Sequence, residues 1–369
     1  MSAHSGFPSF KSMTLLSRLL LVPRGEAAAS WMGEDLQNDL RRLTREEFDD
    51  VLHLADLNHV VMRGMEVFLA FMRGMRDQDR AQWAIDALAA EQRRIQNALA
   101  FLAEICSAFE GAGLDCCVIK SLDHWPDLGS DLDLFTSATP DRVIQLMTRR
   151  FSAGLESRSW GDRLACKWNF QIPGLPELVE IHVGRLGQTG EQVPIASSLL
   201  RRSRVVTVAG RSFRVPAKSD RILLSTLQRM YRHFYFRLCD ILDSAALVEK
   251  DGVDFDDLLA AARKAGIWEG VASYLAIVSD YTARYRGKGI DLPELVTASA
   301  RFGGESVYYG RGFLRVPLLP QSAGLYGAQL ADTLRKRKLQ TGARLSLLPW
   351  LATAAAVGQK FTGSDKGIW

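Results

Sequence analysis

Apolar positions recur at spacings of three and four through residues 31–112, the period of one helical face. Phe48, Val51, Leu52, Leu54 and Ala55 form the first such stripe. Thr44, three residues ahead of Glu47, is placed to make a capping box at its start. A longer helix is predicted from Asp77 to Phe109, with Trp83, Ile85, Leu88, Ile95, Leu99 and Leu102 inward. Gly111-Ala112-Gly113 ends it, because glycine tolerates the left-handed exit of a helix. Upstream, Met13–Val22 is apolar but interrupted by Arg18, and reads as a short amphipathic or core segment.

The period then shortens. Leu114–Lys120 is a short apolar run with strand character, and Asp131–Thr136 alternates strictly. Thr139-Pro140-Asp141 supplies a cap, a first-turn proline and a first-turn acid for a helix to Phe151. Ala165–Ile172 and Leu178–Val183 read as strands around the turn Pro173-Gly174-Leu175-Pro176. Arg204–Val208 and Ser212–Val215 read as a hairpin. Helical spacing returns in one stretch from Ser219 to about Lys250, then from Asp254 to Ala265 and from Trp268 to Tyr285. The chain therefore divides into a helical region 1–112, a mixed core 113–216, a helical domain 217–290 and a partly helical tail 291–369. The fold class is α+β: a small mixed sheet with helices, flanked on both sides by helical regions.

Composition changes this picture little. The 369 residues are 47% hydrophobic, enough to build a sizeable core. The net charge of +4 is too small to argue for nucleic acid by itself. Cys106, Cys116, Cys117, Cys166 and Cys239 are odd in number and form no CxxC pair. Buried free thiols in a reducing cytoplasm are expected. No apolar run is long enough to span a bilayer.

The chemistry concentrates in VIKSLDHWPDLGSDLDLF, Val118–Phe135. On a strand, Asp131 and Asp133 point one way while Leu132 and Leu134 point into a core. Two ionised carboxylates on one face repel unless a cation joins them, one is protonated, or water screens both. Hard divalent ions favour such oxygen ligands. A strand ending at Lys120-Ser121 precedes the pair, and Gly129-Ser130 stands directly before it. In Val179–Val183, Glu180 and His182 share a polar face. A third carboxylate from a neighbouring strand is what a two-metal site needs.

These motifs resemble the polymerase-beta-like nucleotidyltransferase superfamily, and more closely a bacterial family of uncharacterised nucleotidyltransferases. Members of that family tend to show a strand ending in Lys-Gly, then D-[IL]-D-[LI], then an acid-hydrophobic-His strand. The matching residues are Ile119-Lys120-Ser121, Asp131-Leu132-Asp133-Leu134 and Glu180-Ile181-His182, and the likeness spans roughly residues 45–285. Two positions depart: Ser121 replaces the glycine, and Glu180 stands where relatives often carry Asp. The resemblance implies that Asp131, Asp133 and Glu180 are catalytic and hold Mg²⁺ or Mn²⁺ on a nucleoside triphosphate, most simply ATP. Lys120 and Ser121, with Gly129 and Ser130, would meet the phosphates. A nucleoside monophosphate would pass to a hydroxyl on a small molecule, peptide or RNA. The Ser121 departure leaves a degenerate member that binds nucleotide or a partner without turnover as an alternative. A toxin-type nucleotidyltransferase is another.

Neighbouring residues have plainer expectations. Asp123 and Asp127 read as solvated or turn-forming, and His182 first as a hydrogen-bonded structural histidine, second as a ligand or acceptor-positioning group. His124-Trp125 reads first as loop packing and second as a base-stacking pair. Lys167 and Arg163 read as exposed, with phosphate contact as the alternative. Arg229, Arg232, His233 and Arg237 share a helix face expected to be solvated, with a phosphate-facing patch as the alternative. The basic run Arg335–Lys338 and the apolar residues to Val357 read as a final helix on the body, or a membrane-surface or partner contact.

Overall fold

The computed structural model describes residues 9–21, 34–250, 252–351 and 353–354. Four sheet-free helices open the main body: α2 (Glu34–Arg42), α3 (Arg45–Leu57), α4 (Val61–Gly74) and α5 (Gln78–Gly111), preceded by α1 (Phe10–Leu21). The capping box forms: Thr44 accepts from the Glu47 amide, and Glu47 accepts from the Thr44 amide. Asp77 caps α5 by accepting from Arg80 N. Ile85, expected inward, is 36% exposed. Met13, Leu16 and Leu19 of α1 are buried, so this segment is core. The predicted helical reading of residues 31–33 lies outside the described residues.

The mixed sheet follows, in the order β1 (Cys117–Val118), β2 (Asp131–Thr136), β5 (Leu178–Val183), β4 (Lys167–Gln171), β3 (Gly154–Leu155). β2 and β5 are parallel and the other pairs antiparallel. A parallel pair needs a long crossover. Here it includes α6 (Pro140–Phe151), β3, α7 (Trp160–Ala165) and β4. Leu132, Leu134, Val179 and Ile181 are all buried on the core face of the sheet. The first strand is shorter than expected, two residues rather than seven, because Lys120 turns the chain at φ +69°. The 165–172 strand starts later than expected because α7, capped by Ser159, occupies Trp160–Ala165. The hairpin β6 (Arg204–Val208) and β7 (Arg211–Val215) forms a separate two-stranded sheet.

The helix expected from Ser219 to Lys250 is broken. α9 (Lys218–Thr226) follows α8 (Val193–Arg202) and runs into a π-helical turn, Leu227–His233. Phe234 then turns left-handed at φ +57°. Tyr235–Phe236 (β8) pairs with β10 (Phe313–Arg315), which also pairs with β9 (Tyr308–Gly310). A fresh helix, α10 (Leu238–Glu249), begins where Asp240 Oδ2 accepts from Arg237 N at 2.7 Å. α11 (Phe255–Ala265) and α12 (Trp268–Arg286) match the sequence pattern.

After the short α13 (Glu294–Thr297), the basic run starts at the last residue of α14 (Ala323–Arg335) and ends just before α15 (Leu339–Ser346). It does not continue one helix. Lys336 and Lys338 donate to the carbonyls of Arg263 and Lys264 at the C-terminus of α11. Positive charge is favourable at that end of a helix. Part of the expected apolar segment, 352 and 355–357, lies outside the described residues. Among the described residues, no helix is long and apolar enough to cross a membrane.

Candidate active site

The parallel register sets Asp133 beside Glu180. Asp131 stands two residues before Asp133, on the same strand face. The three sequence-predicted carboxylates therefore meet at one polar cavity of about 220 Å³, which they line together with Lys120, Ser121, Gly129 and Ser130. Donor atoms of Asp133, Glu180 and His182 lie within 4.8 Å of one another, while Asp131 is outside that closest group.

Each carboxylate has a different electrostatic surrounding. Burial, then the charges of Glu180 and Asp133, push the Asp131 carboxyl up to about 6. Burial would also raise Asp133, but the Lys120 ammonium outweighs it and holds that carboxyl well below the usual range. Lys120 Nζ is 2.5 Å from Asp133 Oδ1. Lys167, expected to be exposed, is 6% exposed and pairs with Glu180 Oε1 at 2.8 Å and Asp162 Oδ1 at 3.1 Å. Arg163 is exposed as expected.

Ser121 is a fixed strut. Its Oγ accepts from Asp133 N at 2.8 Å and donates to Asp131 O at 3.2 Å, which ties the β1 turn to β2. It is 2% exposed, so its hydroxyl serves the backbone of the carboxylate strand. Ser130 Oγ donates to Asp131 Oδ2 at 3.2 Å. The Gly129 carbonyl accepts from Arg94 Nη1 at 3.2 Å, which fixes the chain entering β2.

His182 is 5% exposed, and its Nε2 is 3.6 Å from Asp133 Oδ1. That separation is beyond a hydrogen bond. Among the described residues neither ring nitrogen has a hydrogen-bond partner. The structural, hydrogen-bonded histidine expected from sequence is therefore not what forms. Burial lowers its proton affinity first, and Lys120 adds to this, so the ring is held neutral beside the carboxylates.

The opposite wall is cationic. Arg229, Arg232, His233 and Arg237 line the same cavity, so the solvated-face expectation is overturned. The π turn rotates this segment inward. Arg229 is 1% exposed, with Nε 2.7 Å from Asp240 Oδ2. Arg232 Nε is buried without a hydrogen-bond partner among the described residues. Burial and the neighbouring arginines hold His233 well below the ordinary histidine range. Sequence reasoning saw the spacing of these four residues but not which way the face turned.

Asp123 and Asp127 belong to turns, as expected, but neither lies on the solvated surface. Asp127 is 1% exposed and accepts from Met62 N at 2.6 Å and Arg63 Nε at 2.7 Å. Asp123 is largely buried, 2.6 Å from Arg221 Nε. Both are internal anchors. His124 packs inward against Asp243, in line with the packing expectation, while Trp125 is 42% exposed.

The donor set fits a hard divalent cation. Three carboxylates from adjacent parallel strands are close enough that two of them raise the third, the repulsion a shared cation relieves. Lys120 on Asp133 Oδ1 is the group that would have to give way. No family model matches this chain, and no curated protein matches it.

Proposed function

We propose that this chain is a divalent-cation-dependent nucleotidyltransferase that moves a nucleoside monophosphate from a triphosphate to a hydroxyl acceptor. The observation that carries the reading is the register pairing of Asp133 with Glu180, with Asp131 beside them, facing a cavity walled by arginines. Asp131, Asp133 and Glu180 are the residues that would hold Mg²⁺ or Mn²⁺. Bound there, the ion would neutralise phosphate charge and favour in-line displacement at the alpha-phosphorus.

The chain's own residues do the rest by positioning. Arg229, Arg232 and Arg237 offer guanidinium donors to phosphate oxygens, with a fork geometry suited to that task. Asp240 fixes Arg229, so its orientation is set before a ligand arrives. Ser121 holds the strand that carries both aspartates. Lys167 neutralises Glu180, and the left-handed backbone at Lys120 places its ammonium on Asp133. Preorganised groups of this kind lower a barrier without moving at the moment of reaction.

A second reading, a nucleotide-binding member without turnover, is favoured by those same two lysine pairs. They satisfy two of the three carboxylates from within the chain. Calorimetric titration with ATP, with and without Mg²⁺, followed by a mass search for adenylylated product, separates the two. Mg²⁺-dependent binding with product is expected. Binding without product would favour the second reading, and no binding in either buffer would contradict both.

A further inference from the structure

A separate group of side chains lies across the same cavity from the carboxylates. His59, His124 and Cys239 bring one donor atom each within 4.8 Å of one another. They come from three distant segments: the turn after α3, the 3-10 turn Ser121–His124, and the first turn of α10. We propose that these three residues form a second metal site, for Zn²⁺, distinct from the carboxylate site and independent of the nucleotidyltransferase reading.

The chemistry of the donors selects the ion. Imidazole and thiolate suit zinc, whereas Mg²⁺ prefers oxygen. His124 Nε2 is 3.8 Å from Cys239 Sγ. Two ligands at ordinary Zn–N and Zn–S lengths on a tetrahedral ion stand about 3.6 Å apart. The His124 ring is aimed by its other nitrogen: Nδ1 is 2.5 Å from Asp243 Oδ2. Asp243 is in turn fixed by Arg63 Nη1 at 2.6 Å, and Arg63 by Asp127 at 2.7 Å. A carboxylate behind the histidine is the usual outer support of a zinc ligand.

His59 completes the group at a conformational cost. Its backbone is left-handed, φ +53°, which a histidine rarely adopts without a reason. Asn58 locks the turn, donating to Leu54 O and Gly312 O and accepting from Leu238 N, the residue before Cys239. Arg237 Nη1 lies 3.3 Å from His59 Nδ1 and must swing aside if that nitrogen is the ligand. Cys239 is 0% exposed, so the thiol is reached from within the group rather than from solvent. His59 and His124 both line the cavity, which leaves a fourth position for water or a substrate group.

The test uses the full chain, stripped of metal and loaded with Zn²⁺, then with Co²⁺ as an optical probe. About one zinc per chain is expected, with a thiolate-to-cobalt charge-transfer band. Cys239→Ser should abolish the band. Asp243→Asn should keep the fold and weaken zinc binding by about ten- to a hundredfold. Asp133→Asn should leave the thiolate band unchanged. Circular dichroism checks that each variant is folded, and Asp243→Asn carries the test if Cys239→Ser is not. A folded wild-type chain that takes up no zinc overturns the proposal. So does a cobalt band that survives Cys239→Ser, or zinc affinity indifferent to Asp243→Asn.

Discussion

Asp131 carries the pH dependence of the site. Its folded value of about 6 lies above the ordinary 3.8, because burial and two neighbouring carboxylates disfavour its charge. The protonated form therefore supports the fold fully below about pH 3.8, and that support is lost as pH rises through 6. Asp131→Asn should stabilise the metal-free protein at pH 8 by on the order of 1–3 kcal/mol and have little effect near pH 3.8. Urea melts at the two pH values check this, and an equal effect at both would contradict it. Strand alternation made the shared face of Asp131 and Asp133 readable from sequence, and the same alternation gave Glu180 and His182. The lysine on each of Asp133 and Glu180 was not readable. Those pairs depend on the left-handed turn at Lys120 and on the β4–β5 register, which no local pattern specifies.

Among the elements, β2 carries both site and core. Leu134 is 0% exposed behind the carboxylates, so Leu134→Ala should cost about 2–5 kcal/mol and loosen the site with it. Thr44→Ala, at an exposed helix start outside the cavity lining, should cost only about 1 kcal/mol and leave nucleotide binding intact. Denaturation midpoints and ATP titrations on both variants give the comparison; equal losses would contradict it. The helix starts at Thr44, Asp77 and Asp254 were legible because caps are local chemistry. The break at 227–237 was not, because the apolar and basic spacing continues unbroken through it. What turns the chain there is pairing of Tyr235–Phe236 with Phe313–Arg315, with Tyr235 and Phe313 rings 4.4 Å apart, a contact remote in sequence.

At the scale of the whole molecule, the cavity lies between the sheet and the segment Gln228–Arg237. The core is continuous from Met13 to Leu325, and Ser17 Oγ meets Tyr281 Oη at 2.6 Å across that span. The α+β class and its helical flanks followed from the change of period along the chain, but the direction of the arginine face did not. Arg232→Gln removes a cation from the cavity wall and should weaken ATP binding by about 1.5–3 kcal/mol, roughly ten- to a hundredfold. Unchanged affinity by calorimetry would remove this residue from the phosphate site. The central claim is tested most directly by transfer of label from ATP radiolabelled on its alpha phosphorus, with Mg²⁺ and a cell extract as acceptor source. The wild-type chain should yield labelled product, and Asp131→Ala/Asp133→Ala should reduce it on the order of a thousandfold or more. Full Mg²⁺-dependent transfer by the double variant would contradict the account.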